Sequence, residues 1–206
     1  DDIVVLDEPV IGGTAAYRVL KRGFDITVCT AALVVLAAPM LAIAIKIRSE
    51  SPGPVIYAQN RVGKDGRVFR LYKFRSMYVD AESRGARWAD GEDRRITPFG
   101  RFMRRTRIDE IPQLWNIVKG NMSLVGPRPE RPVFCREFEK RIHGWRYRTH
   151  VTPGLTGLAQ VMGGYELLPR EKVKLDLAYI RHRGIRTDTR VLLRTIGVIT
   201  TGSGAR

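Results

Sequence analysis

The sequence predicts a mixed α/β fold that is mostly α-helical, carries a small β-hairpin and is not a Rossmann fold. Three observations lead to this prediction. Residues 26–45 form an uncharged apolar run of 20 residues, interrupted by Pro39. Two short β-type segments, at residues 55–59 and 68–74, flank the turn signal Asp65-Gly66. The sequence also lacks the glycine-rich phosphate loops of nucleotide-binding parallel sheets. We divide the chain into an N-terminal extension (1–20), a membrane helix (21–50) and a globular domain (51–206).

The apolar run at residues 26–45 is long enough for the hydrocarbon core of a bilayer. Pro39 lies well inside the run and is expected to kink a helix there. Basic residues flank the run on both sides: Arg18, Lys21, Arg22, Lys46 and Arg48. A spanning helix normally shows this bias on one side only. We therefore expect a re-entrant membrane helix that bends at Pro39 and returns to the same face. A buried helix of a soluble core is the alternative.

The predicted hairpin ends in a cluster of two cations and a hydroxyl, at Lys73, Arg75 and Ser76. Such a cluster can bind a phosphate, although a solvated edge strand explains it equally well. Residues 99–105 alternate apolar bulk with arginine at a helical period. This pattern predicts an amphipathic helix in a membrane interface, and packing on a core with a solvated basic face is the alternative.

The central stretch of the chain places two adjacent carboxylates, Asp109 and Glu110, among arginines. Pro112 is tolerated in the first turn of a helix, and the apolar residues that follow it predict a short helix. Asp109 is therefore predicted at or near the N-cap, where backbone N–H groups and the helix dipole favour an anion. From the local pattern alone, a capping aspartate beside a solvated glutamate is the alternative reading.

Arg128 stands between Pro127 and Pro129, which restrict the backbone on both sides. A guanidinium presented in this way suits bidentate recognition of a phosphate. A rigid turn whose arginine pairs with a structural acid is the alternative.

The C-terminal third of the chain is predicted to be mainly helical. We expect a helix over residues 131–148, with Phe134, Phe138 and Ile142 on one side, and a glycine- and proline-controlled loop over 151–160. Two closing helices follow at 171–182 and 189–200, and the second is apolar enough to touch a membrane or the core.

The net charge of +15 indicates an anionic partner: nucleic acid, an anionic lipid surface or a phosphorylated substrate. Two cysteines far apart indicate neither a disulfide framework nor a zinc site.

Seven motifs, taken together, resemble the bacterial sugar transferase family of monotopic polyprenyl-phosphate phosphoglycosyl transferases. Each motif is weak alone, but all seven occur in the family's order. They are Lys21-Arg22-Gly-Phe24-Asp25, the proline-broken helix, Gly53-Pro54-Val-Ile-Tyr with Gln59-Asn-Arg61-Val-Gly63, Lys73-Phe74-Arg75-Ser76-Met77, Asp109-Glu110-Ile-Pro112-Gln113-Leu, Met122-Ser123-Leu-Val-Gly126-Pro127-Arg128-Pro129-Glu130, and Pro153-Gly154-Leu-Thr156-Gly157-Leu-Ala-Gln160.

The resemblance implies that sugar-1-phosphate passes from a UDP-sugar to undecaprenyl phosphate with release of UMP, the first membrane step of exopolysaccharide, capsule or O-antigen assembly. Asp109 is then the nucleophile that forms a covalent sugar-phosphate intermediate. Mg²⁺ is expected at Asp109 and Glu110, and Glu110 either holds that metal or handles a proton. Arg128, Lys73 and Arg75 are the candidate phosphate-binding cations, and sugar contacts are expected from residues 80–97 and the C-terminal region.

The resemblance also implies a monotopic protein of the bacterial cytoplasmic membrane, with residues 51–206 as a catalytic domain on the cytosolic face. Membrane lipids are then partners, nucleic acid is not, and an oligomer is possible. The sequence is expected to be a small member or the catalytic part of a larger one. Two other functions fit parts of the sequence: a membrane-anchored basic module that binds lipid or nucleic acid, and a metal-dependent lipid pyrophosphate hydrolase.

Overall fold

The computed structural model describes residues 4–79, 81, 93–163 and 167–201. Two helices come first, α1 (Ala15–Val35) and α2 (Ala37–Glu50). The side chain of Thr14 caps α1, because its hydroxyl accepts a hydrogen bond from the Tyr17 N–H at 3.1 Å. The axes of the two helices differ by 61°. Within the described residues no single helix has the length and hydropathy of a membrane span, but the bent pair α1–α2 has both when taken together.

The bend lies at Leu36 and not at Pro39, where the sequence analysis placed it. Pro39 falls in the first turn of α2 instead. Its ring has no N–H to donate to the carbonyl of Val35, and it crowds that carbonyl four residues upstream. The proline therefore disturbs the helix one turn before its own position. The expected kink is present, but its predicted location was wrong by three residues.

Large apolar side chains are exposed along both limbs of the bent pair. Phe24, Val28, Val34, Val35, Leu41 and Ile45 are among them. Exposure on this scale is unusual for a helix that lies in the core of a soluble protein.

The predicted hairpin is confirmed. Strands β2 (Ile56–Val62) and β3 (Val68–Phe74) pair antiparallel, with Val62 opposite Val68. Asp65 and Gly66 both have positive φ, at 54° and 76°. That geometry is what a tight hairpin connection requires, and it explains the Asp-Gly signal.

The other strands are short and pair in parallel. β1 (Val4–Val5) pairs with β5 (Ile142–His143), and β4 (Ser123–Val125) pairs with β6 (Gly154–Thr156). Every sheet in the described part of the chain is two-stranded, which agrees with the prediction of a mostly helical, non-Rossmann fold.

Helices make up most of the rest of the described chain. They are α3 (Pro98–Thr106), a 3-10 turn (Ile108–Glu110), α4 (Gln113–Val118), α5 (Pro132–Arg141), a 3-10 helix (Trp145–His150), α6 (Leu158–Met162), α7 (Pro169–His182) and α8 (Ile185–Thr201). The amphipathic helix predicted at 99–105 and the two closing helices are therefore present.

Two predictions for this region need correction. The helix expected over 131–148 ends at Arg141, because Ile142 is extended and pairs with β1, and Gly144 has φ of +94°. The loop expected over 151–160 contains strand β6 and the start of α6. In both cases a tertiary pairing that the local sequence does not encode decides the conformation.

Strand β6 approaches the residue just after β4 closely, where Gly154 faces Gly126. A methyl group added to Gly154 would lie 2.1 Å from the backbone nitrogen of Gly126. We expect Gly154→Ala to destabilise the fold by about 1–3 kcal/mol, because the backbone of β4 would have to move. Gly184→Ala is the matched control, since no heavy atom lies within 4 Å of its added methyl. Urea unfolding of both variants is the measurement, and equal stabilities would contradict this account of the β4–β6 contact.

Candidate active site

Asp109 and Glu110 lie in the 3-10 turn that joins α3 to α4. Arg107 ends α3 in the left-handed conformation, with φ of +57°, and so turns the chain before the two carboxylates. The N-cap residue of α4 is Pro112, so Asp109, which was predicted at or near that position, lies three residues before it and does not cap the helix. The proline fixes the backbone one position before the helix, which leaves the carboxylates in a separate turn upstream. Both side chains are buried.

Asn116 fixes the distance between this turn and the hairpin. Its Oδ1 accepts from the Tyr72 N–H at 3.0 Å, and its Nδ2 donates to the Arg70 carbonyl at 2.8 Å. These bonds attach α4 to β3, and they bring Lys73 at the end of β3 against the carboxylates. Asn116 was not singled out from the sequence.

Glu110 is held between two cations. Lys73 Nζ donates to Glu110 Oε1 at 2.9 Å, and Arg128 donates to both oxygens of the same carboxylate. Lys73 Nζ also lies 3.6 Å from Asp109 Oδ2. The structure therefore brings together four of the five residues predicted for the site: Asp109, Glu110, Lys73 and Arg128.

Arg75, the fifth of these residues, makes contacts on another side. Its guanidinium donates to the Ser51 carbonyl at 2.7 Å and to the Pro52 carbonyl at 3.0 Å, so it stabilises the turn that precedes the hairpin. Arg75 does line the cavity described below. A phosphate contact from Arg75 stays a prediction.

The pKa values of the two carboxyl groups are shifted in opposite directions. Burial raises the pKa of Asp109 above its ordinary value, although Lys73 opposes the rise. Burial alone would also raise the pKa of Glu110, but Arg128 and Lys73 outweigh it and hold that pKa well below its usual range. Adjacent carboxyls with such different environments suit different chemical roles.

Arg128 is supported from behind by a buried network that the sequence analysis missed. Arg148 Nη2 donates to the Arg128 carbonyl at 2.9 Å and pairs with Asp176 Oδ2 at 2.5 Å. Glu130 accepts a hydrogen bond from Lys172, and its Oε2 lies 3.5 Å from Arg61 Nη1.

The sequence did contain one signal for the buried position of Asp176. It occupies the same helical stripe as the buried residues Val173, Leu177 and Ile180, where a carboxylate implies a buried partner.

The residues of the candidate site line a cavity of about 410 Å³. Asp109, Glu110, Lys73 and Arg128 line it, together with Arg104 and Arg107 from α3 and the loop after it. Residues 80 and 82–92, where sugar contacts were predicted, lie outside the described residues. A cavity of this size accepts a nucleotide-sized ligand, and its cations suit a diphosphate.

The fit of the cavity to Mg²⁺ depends mainly on Asp109. Within the described residues no three or more Asp, Glu, His or Cys side chains form a cluster for a metal ion. Mg²⁺ bound with a substrate phosphate requires only one or two carboxylates. Asp109 fits, because it lines the cavity and its ion pair with Lys73 is a loose one. Glu110 fits less well, since Lys73 and Arg128 already bind its oxygens.

Comparison with known sequences places the chain in a family. The sequence model of the bacterial sugar transferases matches residues 16–202, nearly the whole chain. The chain belongs to the bacterial sugar transferase family. The resemblance expected from the seven motifs is therefore confirmed.

Three relatives in this family show what the matched region is similar to. A UDP-N-acetylgalactosamine-undecaprenyl-phosphate N-acetylgalactosaminephosphotransferase of Aeromonas hydrophila is 45% identical over 92% of this chain and 46% of its own. A putative undecaprenyl-phosphate N-acetylgalactosaminyl 1-phosphate transferase of Bacillus subtilis (strain 168) is 54% identical over 66% of this chain and 75% of its own. A UDP-glucose:undecaprenyl-phosphate glucose-1-phosphate transferase of Escherichia coli (strain K12) is 36% identical over 94% of this chain and 42% of its own. The chain thus spans less than half the length of the first and third of these sugar transferases.

Proposed function

We propose that the protein transfers sugar-1-phosphate from a UDP-sugar to undecaprenyl phosphate and releases UMP. The observation that carries this proposal is the site itself. A desolvated aspartate lies beside a glutamate that two cations hold ionised, within a cavity lined by further arginines. Membership of the bacterial sugar transferase family supports the same chemistry.

In the first step an oxygen of the Asp109 carboxylate attacks the β-phosphorus of the UDP-sugar. The bond from that phosphorus to the bridging oxygen breaks, and the bridging oxygen leaves with UMP. The product is a sugar-phosphoryl aspartate. In the second step an oxygen of the lipid phosphate attacks the same phosphorus, the bond to Asp109 breaks, and the carboxylate is regenerated. Dividing the transfer in this way lets one site serve two substrates in turn.

Arg128 and Lys73 bind the phosphates that react at Asp109. Both are fixed through Glu110, so their charges are oriented before the substrate arrives. Pre-oriented cations stabilise the charge that develops at phosphorus without further reorganisation. Glu110 in this scheme positions the two cations. Its alternative roles, binding the metal or handling a proton, stay predictions.

Mg²⁺, when bound, neutralises charge on the diphosphate and reduces its repulsion from the attacking carboxylate. Asp109 is the residue that would hold it, together with substrate oxygens. Lys73 and Arg128 then supply the remaining positive charge from the protein.

The bent pair α1–α2 serves in this proposal as a re-entrant anchor in the cytoplasmic membrane. Its exposed apolar side chains and the basic residues at both of its ends support that role. The catalytic part of the chain would lie on the cytosolic face, where a soluble sugar nucleotide meets a long lipid.

The test is UMP release by detergent-solubilised protein with Mg²⁺ and a panel of UDP-sugars, with and without undecaprenyl phosphate. We expect lipid-dependent turnover with one or more sugars, and a roughly stoichiometric burst of UMP without lipid. Folded protein that releases no UMP but binds anionic vesicles, more weakly as salt rises, would favour the basic binding module. Release of inorganic phosphate from a lipid pyrophosphate would favour the hydrolase.

The pH dependence of the burst provides a further prediction. Asp109 must be ionised to attack, and Lys73 favours the ionised form. Lys73→Met is therefore expected to raise the pKa of Asp109 and to shift the acid limb of the burst rate to higher pH. Lys64→Met, in the exposed hairpin turn, is the control and should leave the profile unchanged. An acid limb that does not move in Lys73→Met would show that Lys73 does not act on the titrating group.

A further inference from the structure

The cavity wall beyond the carboxylates is formed by two different parts of the fold. One group of lining residues comes from the end of the hairpin and the segment after it, and includes Phe74, Met77 and Val79. The other group comes from α5 and α7, and includes Phe134, Phe138 and Lys172. Because the two groups come from different elements of the fold, they can bind different parts of the substrates.

The first group, Phe74, Met77 and Val79, is called the hairpin group here and lies beside the bent pair. Phe74 packs in one buried cluster with Ile47 of α2 and Met103 of α3. The N–H of Phe99, in the first turn of α3, donates to Glu50 Oε1 at the end of α2. A lipid substrate that shares its environment with α2 would reach the carboxylates from this group.

The α5 group belongs to another part of the core. Trp145 packs there with Val173 and Leu177 of α7, at a buried cluster separate from the one that contains α2. This part of the cavity thus rests on a cluster that contains no residue of α2, and a soluble substrate is its natural occupant.

The α5 group has an aromatic surface with a cation over it. The ring centroids of Phe134 and Phe138 are 6.3 Å apart, and those of Phe138 and Trp145 are 4.8 Å apart. The guanidinium carbon of Arg131 lies 5.7 Å from the Phe134 centroid. Trp145 is buried, whereas Phe134 and Phe138 are partly exposed, and both of these rings line the cavity.

Aromatic rings with a nearby arginine are a common platform for a nucleobase, because every base has a π-face to stack. A hexose depends more on hydrogen bonds to its hydroxyls, and phenylalanine rings supply none. We infer that the α5 group, with Phe134 as the stacking ring, binds the nucleoside of the UDP-sugar. This inference rests on the proposed function and adds the place of the donor within the cavity.

The two half-reactions separate this role from other uses of Phe134. Only the first step involves the nucleoside, because UMP has left before the lipid reacts. Phe134→Leu keeps apolar volume but removes the π-face, whereas Phe134→Tyr keeps the face. We expect Phe134→Leu to raise the KM for the UDP-sugar and the inhibition constant of UMP about tenfold, a magnitude typical of one lost stack. Transfer from the preformed intermediate to undecaprenyl phosphate should be unchanged, and Phe134→Tyr should restore both constants.

Val133→Ala is the matched control, because Val133 is an exposed neighbour on α5 that does not line the cavity. It should behave like the wild type in both half-reactions. The inference is overturned if Phe134→Leu leaves both constants unchanged, or if it slows transfer to the lipid without weakening the binding of UMP. These outcomes need a wild type that releases UMP. If the wild type releases none with any UDP-sugar, the proposed function itself fails, and that result is distinct from equal constants in an active pair of proteins.

Discussion

Asp109→Asn is expected to abolish the UMP burst and to lower lipid-dependent turnover by a factor on the order of 10³ or more. The amide has nearly the same shape as the carboxylate but carries no charge and is a very poor nucleophile towards phosphorus. Its burial also matters, because the site has already removed the water that would solvate the charged form. The measurement is single-turnover UMP release without lipid, followed by steady-state turnover with lipid.

Asp65→Asn is the matched control for this change. Asp65 is an exposed aspartate of the hairpin turn with a positive φ, a conformation that asparagine also tolerates. We expect wild-type kinetics from it. A normal burst from Asp109→Asn would remove Asp109 from the role of nucleophile even if the protein remained a transferase.

Asp176→Leu is expected to destabilise the protein by about 3–5 kcal/mol. In the wild type, the guanidinium of Arg148 contacts the Asp176 carboxylate at 2.5 Å and 3.0 Å. The substitution removes this main ion-pair partner and leaves the guanidinium buried. An unpaired buried charge costs far more than the loss of one surface salt bridge. The midpoint and slope of urea unfolding, compared with those of the wild type, measure the change.

The double variant with Arg148→Met and Asp176→Leu separates stability from activity. Removing both charges should recover most of the lost stability, because apolar side chains of similar size can replace a buried ion pair. Turnover should stay low, since the carbonyl of Arg128 has then lost its donor. Recovery of full activity in the double variant would show that the Arg148 bond does not position Arg128.

The elements that sequence reasoning predicted well are those defined by local chemistry. Asp65 and Gly66 supply the positive φ values of a hairpin turn, so the two strands around them were predictable. Ile142 was assigned to a helix because its spacing fits one, but it pairs with Val4, more than a hundred residues away. No local pattern carries that information. Pro39 is intermediate: its effect was predictable, but the position of the effect follows from which carbonyl it crowds.

The candidate site divides along the same line. Asp109, Glu110 and Arg128 were assigned to the site through the resemblance to the family, because the local pattern alone also allowed structural roles for them. Arg75 looked equivalent to Lys73, yet the backbone turns after Phe74 and aims the two side chains at different partners. Arg148 and Asp176 were missed because they are 28 residues apart and meet only in the folded core.

The bent pair is attached to the rest of the protein at both of its ends. Near its start, Arg22 donates to the carbonyls of Ile117 and Val118, and Asp25 accepts from Ser123. At its finish, Glu50 accepts from the N–H of Phe99.

Both ends of the bent pair are therefore attached to the same folded domain. Straightening the pair would break the contacts at one end, so these contacts stabilise the 61° angle together with the proline. In the proposed re-entrant anchor, the attachment of both ends to one folded domain would keep both ends on the same side of the bilayer, whereas a crossing segment needs its ends on opposite sides.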